Sequence, residues 1–281
     1  MKLISKTLGV LALLLFLPAF GSGERLFAPS SDLWKRWQKH DAGSTATVDH
    51  SAWTALLKKH LRPASKGVAL LDYKGFAGAS ADRSALKGYL ATLASTPVST
   101  LNRDEQMAFW INAYNALTVE VVLDAYPVAS IRDIDISPGL LASGPWDAEV
   151  ITVEGEALTL NEIEHRILRP IWNDPRLHYA VNCASIGCPN LQPKAWTGAG
   201  LNAMLDKAAK QYINDPRGVT IRGDDVIVSR IFDWFLADFG GNEAGVLAHL
   251  KKYADASLKA QLEQINDLDS TEYDWSLNNV K

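Results

Sequence analysis

The stretch 104-DEQMAFWINAYNALTVEVVLDAY-126 predicts the central helix of this protein. Two acidic residues begin it, where the positive end of a helix dipole favours negative charge, and Pro127 ends it. Apolar residues recur on every side, which is typical of a helix that is buried all round. Asn112 and Asn115 interrupt this apolar surface, and buried amides require hydrogen-bond partners. The sequence therefore predicts either a polar site or a loop backbone packed against the two amides.

Hydrophobic patterns on both sides of this helix predict further helices and several short strands. Thr159 and Glu162 form a capping box that starts one helix, which Pro170 is expected to close, with Glu164 inside its apolar stripe. The pattern lacks repeated strand–helix–strand units, so it predicts an α+β fold: a helix-rich single domain with a small, largely antiparallel sheet. Helices are expected within residues 31–62, 84–95, 161–169 and 230–239, and single strands within residues 68–73 and 177–182. Residues 149–160 and 218–229 each predict a hairpin, with turns at Gly155 and Gly223.

The first 23 residues have the pattern of a secretory signal peptide: a positively charged start, a short apolar run and small residues near Gly21. The apolar run is about a dozen residues, short of the roughly 20 that span a bilayer, so stable membrane insertion is not expected. Cleavage would leave residues 24–281 as a single globular domain in the periplasm or outside the cell. It would also remove two lysines and no acidic residue, which moves the net charge from −4 to −6.

Composition limits the partners of this chain. A mildly acidic protein has no broad basic face for nucleic acid, so nucleic-acid binding is not expected. The short motifs of nucleotide-binding proteins, zinc proteases and serine hydrolases are missing from the sequence. The expected partner is therefore a small molecule, a peptide or a ligand of the cell envelope, and no cofactor is expected.

The segment 178-HYAVNCASIGCPNL-191 carries both cysteines of the chain, and four interpretations of them are open. In an exported protein, Cys183 and Cys188 can form a disulfide that closes a short loop and stabilises the fold by roughly 2 kcal/mol. Alternatively, one of them is a nucleophile. A zinc site would have the right ligand types but an unusual cysteine spacing, and no metal is expected. The cysteines can also be free structural thiols.

The nucleophile interpretation requires a histidine base and a carboxylate or amide that orients it. If residues 177–182 are extended, His178 and Cys183 point to opposite faces, so a local pair requires the chain to turn after Asn182. We also expect Asn112 and Glu164 to approach the cysteine segment, because these buried polar groups otherwise lack evident partners. The candidate catalytic residues are Cys183, Cys188, His178, His165, Glu164 and Asn112.

Four stretches in a fixed order carry a family resemblance: AFWINAYNAL (108–117), LTLNEIEHRILR (158–169), DPRLHYAVNCASIGCPNL (174–191) and SRIFDWFLADF (229–239). Together they resemble the bacterial branch of the domain-of-unknown-function 547 family, across roughly residues 50–240. The family's name implies no settled activity. The resemblance implies that the candidate catalytic residues and Pro189 are signature positions, and it adds the candidate binding residues Asn115, Arg169, Asn182, Ser185 and Trp110.

A buried helix followed by a strand that bears a histidine is also similar, more distantly, to papain-like and transglutaminase-like thiol enzymes. Those enzymes place the nucleophilic cysteine at the start of the central helix, where this chain has none. Thiol chemistry in this protein would therefore have to use Cys183 or Cys188.

These observations predict an exported protein of hydrolase or acyl-transferase type, with a polar Cys/His/Glu/Asn site. Its pocket would lie between the 104–126 helix, the 159–169 helix and the 178–191 segment. The alternative is a non-catalytic binding module of the cell envelope, in which the same residues form a polar core with a structural Cys183–Cys188 disulfide. A free thiol of low pKa favours the enzyme, and an oxidised pair favours the module.

Overall fold

The computed structural model describes residue 20 and residues 28–64, 66–139 and 144–281. The expected signal peptide at residues 1–23 lies outside the described residues, apart from Phe20. The α-helices are α1 (Ser51–His60), α2 (Tyr73–Gly78), α3 (Ser80–Ser95), α4 (Arg103–Ala125), α5 (Leu160–Glu162), α6 (Arg169–Trp172), α7 (Leu201–Ile213), α8 (Ile231–Trp234), α9 (Glu243–Tyr253) and α10 (Ala256–Leu262). The strands are β1 (Leu61–Arg62), β2 (Leu70–Leu71), β3 (Glu149–Val153), β4 (Glu156–Thr159), β5 (Val219–Arg222), β6 (Asp225–Ser229) and β7 (Ser270–Glu272).

Helix α4 runs through the centre of the fold. Every side chain from Glu105 to Val119 is buried, as the sequence predicts. Asn102 caps the helix by accepting a hydrogen bond from the Glu105 N–H at 3.0 Å. The helix packs against α3 on one side and against residues 163–168 on another. It therefore forms the rigid element on which the surrounding loops are mounted.

The strands form three small sheets. β1 pairs with β2, β3 with β4 and β5 with β6, all antiparallel, while β7 lies parallel to β6. Both predicted hairpins are confirmed, and their turns contain Gly155 and Gly223 at positive φ, where glycine is favoured. The helix-rich α+β class with small antiparallel sheets is likewise confirmed. In the part of the chain that the structure describes, no helix is long and apolar enough to cross a membrane.

The predicted helix around residues 161–169 is present, and its centre is a π-helical turn at Ile163–Leu168, between α5 and α6. The capping box is confirmed: the Thr159 hydroxyl accepts the Glu162 N–H, and the Glu162 carboxylate accepts the Thr159 N–H, both at 3.1 Å. The stop expected at Pro170 is wrong, because the helix continues through α6. In the π-helical turn, the Arg169 N–H donates to the carbonyl of Glu164, five residues back.

The helices expected within residues 31–62 are only partly present, as α1 and a 3₁₀ turn at Lys35–Gln38. The chain before this turn is extended for a physical reason. Pro170 has no N–H to donate, and the helical hydrogen bonds change from five-residue to four-residue spacing after it, so two carbonyl groups of the π-helical turn need other donors. They accept hydrogen bonds from the N–H groups of Asp32 and Trp34, each at 3.0 Å.

The strand predicted at residues 177–182 is wrong. Pro175–Tyr179 form a 3₁₀ helix, and an irregular turn follows it. The Asn115 side chain donates to the carbonyl of Ala180 at 2.9 Å and accepts the N–H of Asn182 at 2.8 Å. The amide of α4 thus takes the backbone groups that a neighbouring strand would otherwise use.

Two other elements are shorter than predicted. The strand expected at residues 68–73 is reduced to β2, because the Asp72 carboxylate accepts the Gly75 N–H at 2.8 Å and starts α2 there. The helix expected at residues 230–239 divides into α8 and a 3₁₀ turn at Leu236–Phe239. In both places a short helical element begins inside a segment that the sequence pattern predicts as one continuous strand or helix.

Candidate functional site

A cavity of about 590 Å³ lies beside the π-helical turn. This volume is in the range typical of ligand pockets. The cysteine segment forms a second side, and α8 with residues 273–275 forms a third. Of the candidate catalytic residues, five line this cavity: Glu164, His165, His178, Cys183 and Cys188.

Asp238 holds His178 in one orientation. Its Oδ2 accepts hydrogen bonds from His178 Nε2 at 2.7 Å and from Arg169 Nε at 2.6 Å. Burial alone would raise the pKa of Asp238, but the hydrogen bonds from His178 and Arg169 outweigh burial and hold its pKa well below the ordinary value. Asp238 is therefore a carboxylate, and His178 must carry its proton on Nε2. The His178 ring also stacks on Phe235, with ring centroids 4.4 Å apart.

His165 differs from His178, because its Nδ1 already accepts a hydrogen bond. Its Nδ1 lies 3.0 Å from Arg169 Nη1, and since a guanidinium has no acceptor, Nδ1 must accept this hydrogen bond. Burial lowers the pKa of His165 to about 4, and the nearby charge of Arg169 acts in the same direction. His165 is thus neutral near pH 7, with its basic nitrogen occupied. His178 is the histidine of this pair whose Nδ1 remains available beside the cavity.

Glu164 lies between the two histidines. Its carboxylate oxygens are 3.9 Å from His178 Nδ1 and 3.9 Å from His165 Nε2. Tyr114 from α4 lines the same cavity, and burial, followed by the negative charge of Glu164, raises the pKa of its hydroxyl well above the ordinary value. Tyr114 therefore stays protonated and can donate. Among the described residues, no group of three or more His, Cys, Asp or Glu side chains has the geometry to hold a metal ion.

Cys183 and Cys188 form a disulfide in the cavity wall. Their Cα atoms are 6.3 Å apart, within the usual range for a disulfide. The Tyr273 hydroxyl lies 3.1 Å from both sulfurs, and the Ser185 hydroxyl lies 3.0 Å from that of Tyr273. Cys188 is 3% exposed, whereas Cys183 is only partly buried. Of the four interpretations of the cysteines, the structure agrees with the disulfide.

Amide side chains fix the loop that carries the disulfide. Asn182 donates to the carbonyl of Pro189 at 2.7 Å and accepts the N–H of Ala184 at 2.9 Å, so it bridges the two ends of the loop. Ala184 is held at a φ of 59, in the left-handed region, which costs a non-glycine residue about 1–2 kcal/mol. Together with the Asn115 contacts described above, these bonds hold the loop in a strained conformation next to Cys183.

Two candidate residues lie elsewhere. Asn112 donates to the carbonyl of Trp196 at 2.9 Å and accepts the N–H of the same residue at 3.0 Å. Its amide therefore fixes the loop before α7, and the expected approach to the cysteine segment is found for Glu164 but not for Asn112. Trp110 packs edge-on against Trp37, with ring centroids 5.0 Å apart. Of the candidate binding residues, Arg169 and Ser185 contact groups of the cavity wall, and Asn115 and Asn182 support the loop behind it.

Sequence reasoning missed an aromatic wall opposite Glu164. Trp234, Tyr273 and Trp275 contact one another, with ring centroids 4.8 to 5.6 Å apart, and each ring is partly exposed. Trp146 meets Trp275 edge-on. Residues 273–275 carry no recognisable motif, so their proximity could not be predicted.

Asp238 was missed although it lies in the SRIFDWFLADF stretch, where an acid ends an apolar run. The site residues that were not predicted are Tyr114, Trp146, Trp234, Phe235, Asp238, Tyr273 and Trp275.

Comparison with known proteins gives one family-level result. Residues 98–213 match the family model described as "Protein of unknown function, DUF547". No curated protein matches the chain, and no solved structure matches it. The family predicted from the sequence is confirmed over this region. Its bacterial branch and the distant similarity to papain-like enzymes stay predictions.

Proposed function

Residues 98–213 of this chain match the DUF547 family model, and we propose that the cavity lined by Tyr114, Glu164 and His178 is the active site of an exported hydrolase or acyl-transferase. The observation that carries this proposal is the fixed orientation of His178. Its Nε2–H is committed to Asp238 at 2.7 Å, which leaves Nδ1 as a basic nitrogen beside the cavity. A histidine oriented by a partly buried carboxylate is an arrangement that serves general-base catalysis.

Water, or a hydroxyl group of a second substrate, supplies the nucleophile. The two sulfurs are joined to each other, so neither has a thiol proton to release. His178 Nδ1 accepts the proton of the nucleophile as its oxygen attacks an acyl carbon. The resulting imidazolium is stabilised by the carboxylates of Asp238 and Glu164, and it returns the proton to the leaving group. Attack by water gives hydrolysis, and attack by a substrate hydroxyl gives acyl transfer.

The Tyr114 hydroxyl is suited to stabilise the negative charge that develops on the acyl oxygen. It lines the same cavity, and because its pKa is raised by burial and by Glu164 it remains a donor at neutral pH. Removing one donor of this kind typically lowers kcat by about 10²–10³. We therefore assign Tyr114 the role of electrophilic donor, with Arg169 as a positioning residue that acts through Asp238.

Export to the periplasm or the outside of the cell is part of the proposal. The pattern of residues 1–23 supports it, and so does the disulfide, because oxidising compartments preserve disulfides that the cytosol reduces. N-terminal sequencing of protein recovered from the cell envelope should find a mature N-terminus between Ser22 and Arg25. Soluble cytoplasmic protein that retains Met1 would contradict export.

A panel of chromogenic esters, thioesters and amides tests the reaction. Replacing His178 by Gln should lower kcat/KM for any cleaved substrate by about 10²–10⁴, the usual contribution of a general base. His249→Gln is the control, since His249 is a partly buried histidine, hydrogen-bonded to the Tyr179 hydroxyl at 3.0 Å, that lines a different pocket. Equal activity of the two variants would contradict the proposed role of His178.

The second candidate is a non-catalytic binding module of the cell envelope, stapled by the disulfide. The oxidised pair and the aromatic wall favour it, because rings of tryptophan and tyrosine supply contact area for a ligand without any chemistry. Trp234 and Trp275 report binding by their fluorescence. A ligand that changes this fluorescence, with no turnover of any compound in the panel, would support the module and contradict the enzyme.

A further inference from the structure

The disulfide has two unequal sides. Both cysteines line the cavity of about 590 Å³, but Cys183 is partly exposed, whereas Cys188 is only 3% exposed. A thiolate that enters the cavity therefore meets the sulfur of Cys183 first. Attack on that sulfur would make Cys188 the leaving group.

Hydrogen-bond donors converge on the sulfur of Cys188. The backbone N–H of Cys183 donates to this sulfur alone, at 2.9 Å, and the Ser185 hydroxyl oxygen lies 3.4 Å from it. The Tyr273 hydroxyl lies 3.1 Å from this sulfur and 3.1 Å from that of Cys183, so it can donate to whichever sulfur carries the charge. The Ser185 hydroxyl is also 3.0 Å from that of Tyr273, so it can donate to Tyr273 while Tyr273 donates to the sulfur. A disulfide sulfur is a weak acceptor and gains little from these donors. A thiolate at the same place gains much more, because hydrogen bonds to ions are about twice as strong.

Charged groups near Cys188 also favour a thiolate at this position over a disulfide sulfur. Arg217 Nη1 donates to the backbone carbonyl of Cys188 at 2.8 Å, which brings a positive charge to the leaving group. Asp215 partly balances this charge by accepting from Arg217 Nε at 2.8 Å, and the cavity is also lined by Glu164, Arg132 and Arg230. The donors therefore act directly on the sulfur, and Arg217 adds a positive charge beside the Cys188 backbone.

We propose that Cys183–Cys188 is a thiol–disulfide exchange site, with thiols as its substrate class. A substrate thiolate attacks the sulfur of Cys183, the bond between the protein sulfurs breaks, and its electron pair becomes the thiolate of Cys188. The new bond is a mixed disulfide between substrate and Cys183. A second substrate thiolate attacks the substrate sulfur of that bond and releases Cys183 as a thiolate. Two substrate thiols are oxidised to a disulfide, and the protein disulfide is reduced to two thiols.

This activity goes beyond the proposed acyl chemistry, because its covalent steps involve the two sulfurs and no acyl group. It shares only the cavity as an entrance. The cavity volume admits a low-molecular-weight thiol or a cysteine within a short peptide. The exchange chemistry is the same for both, so the experiment uses one of each.

The first measurement maps the mixed disulfide. Oxidised wild-type protein is mixed with reduced glutathione, or with a ten-residue peptide that contains one cysteine, and quenched with acid. Mass spectrometry should place the adduct on Cys183 while circular dichroism shows that the protein is still folded. Adducts from glutathione alone would identify small thiols as substrates, and adducts from both would include peptides. An adduct on Cys188, or reduction only in denaturant, would overturn the proposal.

The second measurement tests the donors at Cys188. Tyr273→Phe should lower the equilibrium constant for reduction by glutathione by about tenfold, the effect of one hydrogen bond to a charged group. Tyr89→Phe is the control, since it removes the hydroxyl of a buried tyrosine whose partner is His50 Nδ1, at 2.6 Å, and not a residue of the cysteine segment. The same constant for both variants would overturn the role of Tyr273. If Tyr273→Phe does not fold, the adduct map of the wild-type protein still decides the proposal.

Discussion

Replacing Asp238 by Asn removes a negative charge at the centre of the site without changing the size of the side chain. The carboxylate holds Arg169 at 2.6 Å and His178 at 2.7 Å, and the side chains of these two donors are only 4% and 3% exposed. Removing one partner of a buried ion pair typically costs about 3–5 kcal/mol. Asn retains an acceptor oxygen for one of the donors, so we expect the lower end of this range, about 3 kcal/mol of unfolding free energy.

The cost of this substitution should depend on pH. The pKa of Asp238 lies well below its ordinary value, because hydrogen bonds from His178 and Arg169 outweigh the effect of burial. A carboxyl group with a lowered pKa stabilises the folded state above its unfolded pKa of about 3.9, and this contribution is lost as the pH falls toward the folded value. The difference between wild type and Asp238→Asn should therefore be present near pH 5 and shrink below about pH 4.

Urea unfolding followed by tryptophan fluorescence measures both effects, at pH 7, 5 and 3. Asp267→Asn is the control, because Asp267 is an exposed aspartate in the same C-terminal part of the chain. A cost for Asp238→Asn below about 1 kcal/mol, the scale of an exposed ion pair, would refute the buried pair as the organising element of the site. A cost that is unchanged from pH 5 to pH 3 would refute the assignment of Asp238 as its charged member.

Three further predictions concern the loop and the histidines. Asn115→Ala leaves two buried backbone groups without partners, so it should lower the unfolding free energy by about 2–4 kcal/mol in urea titrations; a cost below that of one hydrogen bond would contradict this. Cys183→Ser and Cys188→Ser should each cost about 2 kcal/mol by the same measurement, and clearly unequal costs would mean that the disulfide is not the main source of stabilisation. The pKa of His165 is lowered to about 4, mainly by burial, so the unfolded state binds its proton first and stability should fall as the pH drops from about 6.5 to 4. His165→Gln should flatten that slope. In the wild type, the imidazole NMR signal that this variant loses belongs to His165, and its titration near pH 6.5 would contradict the assignment.

Features that depend on neighbouring residues could be predicted from the sequence. The capping box of Thr159 and Glu162 satisfies backbone groups three residues apart, and both hairpins turn at a glycine, so each is specified locally. The burial of α4 followed from apolar residues on all its faces. The buried-polar rule also predicted that the α4 amides would have partners, but it could not name them. Asn115 holds the cysteine loop, whereas Asn112, one turn earlier, holds a different loop at Trp196.

Features that depend on distant residues were missed or wrong. The strand expected at residues 177–182 fails because Asn115, far earlier in the chain, takes its backbone groups. Asp238 reaches His178 across 60 residues, and Tyr273 reaches Cys183 across 90. Periodicity describes one segment at a time, so it cannot report a contact of this kind. The candidate bases, His165 and His178, could therefore be named from the sequence but not ranked.

The π-helical turn explains why the residues of one short helix act together. In a regular α-helix, residues five apart point about 140° away from each other, which would separate Glu164 from Arg169. Here the Arg169 N–H bonds the Glu164 carbonyl, so the turn is wider and the two positions lie one above the other. Arg169 can then reach His165 and Asp238 while Glu164 faces the same cavity. The carbonyls of His165 and Arg166 in this turn accept hydrogen bonds from the N–H groups of Asp32 and Trp34, which lie in the extended segment before α1. The geometry of the site thus depends on hydrogen bonds between the extended segment and the π-helical turn, which are more than a hundred residues apart in the chain. A helical pattern describes one segment at a time, so it showed Glu164 only as a carboxylate within an apolar stripe.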